Sequence, residues 1–211
     1  ECGKSSLRNG AAGLDEPNEG EVCVDGEKVD GPNKHVAVML QKDFLMPWRT
    51  IIENVELGLE IRGEAKESRR EKARYQLARC HLESFCHHYP HQLSGGMRQR
   101  AALARTLAVD PDVILLDEPF SAVDAQTKMV LQADFARTLA DAGKTTLIIT
   151  HDLAEAVALS DRVLVMSPRP GTIIRELIIE IPDRPDPFAR REDPRMGRYV
   201  GELVDLLHIN A

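Results

Sequence analysis

Asp117 and Glu118 stand side by side at the end of the run Val113-Ile114-Leu115-Leu116. Four consecutive apolar residues predict a strand buried on both faces. Carboxylates at the C-terminal end of such a strand lie where open α/β sheets place their ligands. Adjacent Asp and Glu are costly to hold near a core without a cation, so the pair points to a metal or to proton transfer; an ordinary acidic loop start is the plainer reading. His151-Asp152 closes a second apolar run, Thr145 to Thr150. A histidine at that edge can reach a phosphate or a water held by the carboxylates, although a lone His is more often structural. Gln41 ends a third run, His35 to Leu40. Its amide is placed to meet a metal or a water, or else it faces solvent in a loop.

Two further stretches suit anions. Leu93-Ser94-Gly95-Gly96 precedes the periodic set Met97, Ala101, Leu103, Ala104, Leu107 and Ala108. That pattern predicts a helix whose first turn offers free N–H groups, a small hydroxyl and the positive end of the dipole. The same residues also make an ordinary serine N-cap followed by a glycine pair. Gly3-Lys4-Ser5 matches the tail of G-x-x-x-x-G-K-[ST], in which backbone N–H groups wrap phosphates, the lysine reaches the β and γ phosphates and the hydroxyl binds Mg²⁺. Three residues alone equally suit a surface loop.

These groups need a scaffold, and the chain supplies alternating signals for one. Residues 4–12 predict a helix that Arg8, Asn9 and Gly10 interrupt. Glu21 to Gly26 reads as a strand ending in an Asp-Gly turn, and His35 to Leu40 as a second strand. Asp43 to Thr50 is a loop holding Phe44, Leu45, Met46 and Trp48. It serves either as a partner surface or as an internal plug. From Ile51 to His91 the pattern is helical, with Ile52, Val55 and Leu59 at helical spacing and Ala73, Leu77 and Ala78 on one side of a charged helix. Its end holds Cys80, Cys86 and several histidines, at spacings that fit no ordinary zinc site. Then follow the Ser94 helix, the 113–116 strand, a helix from Asp124 to Ala142 capped by Gly143, the 145–150 strand, a helix over 153–159 and a strand from Arg162 to Met166. An alternating strand over 172–181 is expected at the sheet edge. A Pro- and Arg-rich tail ends in an amphipathic helix near Met196–His208.

The bulk numbers agree with one good core, or a core with a satellite lobe, in 211 residues. A net charge of -7 argues against general nucleic-acid binding, and four cysteines at no framework spacing suit a reducing compartment. No apolar run approaches the ~20 residues of a membrane span. A phosphate-loop tail at residues 3–5 needs a strand before it, so the sequence is expected to be a fragment lacking its N-terminal strands.

Taken in order, these motifs resemble the nucleotide-binding subunit of ABC transporters over nearly the whole chain. Gly3-Lys4-Ser5 is similar to Walker A and Gln41 to the Q-loop glutamine. Leu93-Ser94-Gly95-Gly96 is similar to the family signature, Val113–Glu118 to Walker B with its glutamate, Asp124 to the D-loop aspartate and His151 to the H-loop histidine. Met46–Thr50, Ser94–Arg100 and Met166–Gly171 further resemble the nitrate/sulfonate/taurine importers. The resemblance implies an α/β P-loop NTPase with a mostly parallel sheet flanked by helices. It divides the chain into a RecA-like core (1–50 and 92–181), a helical signature subdomain (51–91) and a C-terminal tail and helix (182–211).

The implied activity is ATP hydrolysis energising a membrane importer of a small oxyanion such as nitrate, sulfonate or taurine. Cys2, Gly3, Lys4, Ser5 and Ser6 would bind ATP. Ser5, Gln41 and Asp117 would hold Mg²⁺, Glu118 would be the general base and His151 would hold the γ-phosphate. Ser94, Gly95 and Gly96, with Asp124, would act across a head-to-tail homodimer. The implied partners are transmembrane permease subunits and, through them, a periplasmic or lipoprotein substrate-binding protein, with the subunit peripheral on the cytoplasmic face of the inner membrane and no nucleic acid bound. Glu1 stands where the family has glycine, and a carboxylate there predicts weak ATP binding by this chain. The alternatives are a soluble ABC-type ATPase not coupled to transport and a catalytically impaired partner subunit.

Overall fold

The computed structural model describes residues 3–121 and 123–207. Helix α1 (Lys4–Ala11) starts from Gly3, whose φ of 88° is left-handed and suits glycine. Strands β1 (Cys23–Val24) and β2 (Glu27–Lys28) pair antiparallel. The strand expected over 21–26 is cut short because Asp25 and Gly26, both at positive φ, form the two-residue turn between them. Strand β3 (Val36–Met39) leads into the loop that carries Gln41 to Thr50.

The helical segment comprises α2 (Ile51–Val55), α3 (Leu57–Ile61), α4 (Lys66–Arg79) and two short 3₁₀ turns, Glu83–Phe85 and Pro90–Gln92. The free N–H groups at the start of α2 are taken by carbonyls of the later turn: Ile51 N donates to His88 O at 2.8 Å and Ile52 N to Cys86 O at 2.9 Å. On α4, Ala73 and Leu77 are buried as expected, but Ala78 is exposed and Cys80 takes the inward position. Positions 73, 77 and 80 follow the i, i+4, i+7 face that position 78 leaves.

Helix α5 (Gly95–Ala108), strand β4 (Val113–Asp117), helix α6 (Ala125–Ala142), strand β5 (Thr145–Ile149), helix α7 (Leu153–Leu159) and strand β6 (Arg162–Met166) continue the alternation. Strands β3, β4 and β5 form a parallel sheet in that order, with Met39 opposite Leu116 and Asp117 opposite Ile149. This register sets the C-terminal ends of the three strands in one row. Strand β7 (Ile173–Ile178) pairs antiparallel with β6 in a separate two-stranded ladder. Among the described residues it is therefore not the edge of the parallel sheet. A groove of about 810 Å³ is lined by residues of both ladders, among them Leu147 and Ile149 on β5 and Leu164 and Met166 on β6.

Two short helices close the chain, α8 (Pro187–Glu192) and α9 (Arg195–Leu206). The Pro- and Arg-rich composition hid α8. Its local signal is Asp186, whose carboxylate accepts from Phe188 N and Ala189 N, followed by Pro187 at the first helical position. Buried Arg190 donates to Ala158 O at 3.2 Å and Ser160 O at 3.0 Å, filling carbonyls at the end of α7.

Ile51, Ile52, Val55, Leu59 and Leu77 share one buried cluster with Leu103 and Leu107 of α5, Ile114 and Leu116 of β4, and Leu131 and Phe135 of α6. Phe120 meets Phe135 edge-on at 5.0 Å. A second cluster joins Val157, Val165, Leu177, Met196, Tyr199 and Leu203. No helix among the described residues is long and apolar enough to cross a membrane.

Candidate active site

The row of strand ends brings three of the predicted groups together. Gln41 follows β3, Glu118 follows β4 and His151 follows β5. Gln41 Nε2 stands 3.5 Å from Glu118 Oε2, and His151 Nδ1 stands 3.1 Å from Glu118 Oε1. The Glu118 side chain is 25 % exposed and that of His151 69 %, so the carboxylate is sheltered while the imidazole faces outward. Glu118 has φ of 45°, a left-handed conformation uncommon for a non-glycine residue and characteristic of functional turns. Its backbone N–H donates to Ile149 O at 2.9 Å, which locks the turn to the neighbouring strand.

Sequence reasoning missed Ser121, which completes this cluster. Gln41 Nε2 donates to Ser121 Oγ at 3.1 Å, and Ser121 Oγ donates to Glu118 O at 3.0 Å. Gln99, Arg98 and Arg105 of α5 were missed too. Gln99 Nε2 donates to Gln41 O at 3.3 Å, Arg98 Nε to Asp43 Oδ2 at 3.1 Å, and Arg105 to the carbonyls of Asp43 and Phe44. Burial lowers the Arg105 pKa, with the neighbouring Asp43 opposing. The helix that starts at Ser94 thus holds the backbone of the Gln41 loop. The signal that could have found Gln99 is a buried polar side chain among the apolar positions of α5.

Lys4, Ser5 and Ser6 form the first turn of α1, which has no acidic residue. Ser5 and Ser6 are exposed, and Lys4 Nζ lies 3.5 Å from Thr150 O, beside His151. This end of α1 therefore offers N–H groups and an ammonium to an anion near the same strand ends. Cys2 and Glu1 lie outside the described residues. Asp117 is paired with Arg8 of α1, a contact the sequence did not announce.

Ser94, Gly95 and Gly96 stand apart. Ser94 Oγ accepts from Met97 N at 3.3 Å as an N-cap. Gly96 is buried, and a Cβ there would lie 3.1 Å from Thr127 Cγ2 and 3.4 Å from Leu131 Cδ1, so its smallness also lets α5 approach α6. Among the described residues no hydrogen bond joins this turn to Gln41, Glu118 or His151. Asp124 likewise caps α6, accepting from Thr127 N at 3.0 Å; that bond and one from the Thr127 hydroxyl lower its pKa.

The loop from Asp43 to Thr50 divides its apolar residues. Leu45 is buried, while Phe44 is 56 % and Trp48 72 % exposed. Buried Asn54 of α2 fixes the loop: Met46 N donates to its Oδ1 at 2.6 Å, and its Nδ2 reaches the carbonyls of Met46, Arg49 and Thr50. Among the described residues, the Cys/His stretch 80–91 included, no group of three or more His, Cys, Asp or Glu is arranged to hold an ion. Cys80 is instead a core residue, its thiol pushed up to about 12 by burial.

The ABC transporter family model matches residues 2–121. An uncharacterized ABC transporter ATP-binding protein of Methanocaldococcus jannaschii is 48% identical over 184 residues, 87% of this chain and 68% of the relative. The taurine import ATP-binding protein TauB of Yersinia pestis bv. Antiqua is 43% identical over 205 residues, covering 91% of this chain and 80% of the relative. The nitrate import ATP-binding protein NrtD of Synechocystis sp. is 43% identical over 210 residues, 97% and 79%. Among solved structures, a dimeric ATP-binding cassette bound to ADP and Pi in a post-hydrolysis state has a TM-score of 0.70 and 34% identity over 85% of this chain and 82% of that one. The chain therefore belongs to the ABC transporter family, with its P-loop α/β fold, and is an ATP-binding subunit and ATPase of that family.

Proposed function

We propose that this subunit hydrolyses ATP in a head-to-tail homodimer to energise a membrane importer of a small oxyanion, nitrate, a sulfonate or taurine. The observation that carries the catalytic part is the convergence of Gln41 and His151 on the two oxygens of Glu118 from three different strand ends. In this reading Gly3, Lys4, Ser5 and Ser6, with Cys2, bind the triphosphate through backbone N–H groups, the ammonium and the hydroxyls. Glu118 takes a proton from the attacking water, Gln41 orients that water and His151 holds the γ-phosphate.

The donor set suits Mg²⁺: Ser5 and Gln41 offer neutral oxygens and Asp117 a carboxylate, leaving room for phosphate oxygens. Asp117 ends β4 in the same row of strand ends as Gln41, which supports the fit; the guanidinium of Arg8 that meets it would have to give way. Bound there, the ion would neutralise charge developing on the phosphates. Ser94, Gly95 and Gly96 reach the γ-phosphate of the ATP on the other subunit, with Asp124 beside them. Their lack of contact with the local cluster is consistent with a task across the dimer.

Exposed Phe44 and Trp48, on a loop held by α5 and Asn54, form the surface for the transmembrane permease subunits, and a periplasmic or lipoprotein binding protein is reached only through those. The subunit is peripheral on the cytoplasmic face and binds no nucleic acid. Residues 1–50 with 92–181 act as the ATPase core, 51–91 as the helical signature subdomain and 182–211 as a C-terminal tail and helix. The names of the taurine and nitrate relatives support the substrate class.

Glu118→Gln tests the reading. It keeps the side-chain shape and removes the base, so turnover should fall roughly 10²–10⁴-fold while ATP-bound dimer accumulates in light scattering. Unchanged turnover would sink the assignment and favour an impaired partner subunit.

A further inference from the structure

Arg8 occupies the inward side of α1. Its side chain is 15 % exposed and meets Asp117, itself 18 % exposed, whereas neighbouring Leu7 is turned outward at 40 %. A long cation aimed inward beside an exposed leucine reverses the usual arrangement, and it is tolerated because the charge is paired. The guanidinium is held from behind as well. Asn9 Oδ1 accepts from Arg8 Nε at 3.1 Å and Nη2 at 2.6 Å, and Asn9 Nδ2 in turn donates to Asp15 Oδ2 at 2.8 Å. The planar fork is thereby aimed with its Nε–Nη2 edge on Asn9 and Nη1 on Asp117.

We propose that Arg8 is a built-in competitor of Mg²⁺ for Asp117, so that the metal must displace a guanidinium before this carboxylate can act in its shell, and ATP binding by this chain depends on Mg²⁺ less than it otherwise would. The proposal rests on the reading of Asp117 as a metal-shell residue. It rests on the geometry of the pair: Arg8 Nη1 meets Asp117 Oδ2, the guanidinium repels a second cation brought to the same carboxylate, and the resident cation is tethered by Asn9 while the other arrives from solution.

The test compares dissociation constants for ATP, by isothermal titration, in saturating Mg²⁺ and in EDTA, for the full chain and for Arg8→Met and Arg8→Lys. Circular dichroism melts establish that each variant is folded. The ratio of the EDTA value to the Mg²⁺ value should rise about tenfold or more in Arg8→Met, the scale of one charge-assisted hydrogen bond, and less in Arg8→Lys. If Arg8→Met does not fold, Arg8→Gln replaces it, with the same rise in the ratio expected. Equal metal dependence in the folded Arg8 variant and the parent would overturn the proposal alone. Absence of ATP binding in every protein, with and without metal, would overturn the reading of the site and the proposal with it.

Discussion

Asn54 is the residue whose removal should most directly uncouple the exposed loop from the core. Its amide makes four hydrogen bonds to the backbone of residues 46–50 and is fully buried. In Asn54→Leu, a change of similar volume, the four affected backbone groups are not equally harmed. Met46 O still accepts from Arg49 N at 3.1 Å, and Thr50 O still accepts from Asn54 N at 2.9 Å. Met46 N–H and Arg49 O lose the partner that Asn54 provides. At about 1–3 kcal/mol for each of the two stranded groups, the loss is roughly 2–6 kcal/mol, a large part of the ~5–15 kcal/mol that stabilises a domain.

For a chain of this size, that corresponds to a fall in Tm of roughly 4–24 °C. Two signals separate loop from core. Far-ultraviolet circular dichroism follows the helices, and fluorescence follows Trp48, the single tryptophan, which sits on the loop itself. The expected result is a lower global midpoint together with a Trp48 spectrum already altered below it. A Tm within about 2 °C of the parent and an unchanged Trp48 spectrum would refute the claim that Asn54 holds the loop, since about 0.5 kcal/mol is the scale of an ordinary surface change.

Two further outcomes follow from the protonation behaviour of particular groups. Burial pushes the Asp152 carboxyl up, but the Lys128 ammonium at 2.7 Å and the N–H of Glu155 outweigh it and hold the pKa below its ordinary 3.8. A depressed folded pKa adds stability above the unfolded value that is lost as pH falls through the folded one. Asp152→Asn, which keeps the cap oxygen and loses the charge, should therefore cost about 0.5–1 kcal/mol at pH 7, a figure kept small because the pair is partly exposed, and the difference should shrink as pH falls below 3.8 and through the lowered folded pKa in thermal melts. A difference that persists or grows in acid would contradict this. Cys80, buried with its thiol pushed up to about 12, should resist iodoacetamide at pH 8 while exposed Cys23 is alkylated, and should react only after unfolding; equal labelling by peptide mapping would count against the core assignment.

Much of the frame was legible in the chain because its signals are local. The run Val113–Leu116 is apolar without interruption, β-branched at its start and bounded by Pro111 and Pro119, as a doubly covered parallel strand is, so β4 and the place of Asp117 and Glu118 at its end could be read from the chain. The caps at Ser94, Asp124 and Gly143 are likewise set by a few neighbouring residues. Local signals failed where a side chain serves two purposes or where composition misleads. Ala78 and Cys80 exchange roles on α4, and α8 was hidden in a stretch rich in Pro and Arg. The strand over 173–178 exists, but Ile-Ile-Arg-Glu-Leu-Ile alternates neither in composition nor in burial, and which strand it joins is a matter of pairing.

The sequence by itself determined the order of strands, helices and phosphate-type motifs, and through them the family, because periodicity, caps and glycine placement act within a few residues. The tertiary structure alone decided who meets whom. Gln41, Glu118 and His151 are far apart in the chain and share one cluster only because β3, β4 and β5 lie in parallel register. Arg8 reaches Asp117 across 109 residues, and Gln99 reaches Gln41 across 58. Such pairings depend on the distance and burial of groups brought together by the whole core, and no window of the chain contains that information.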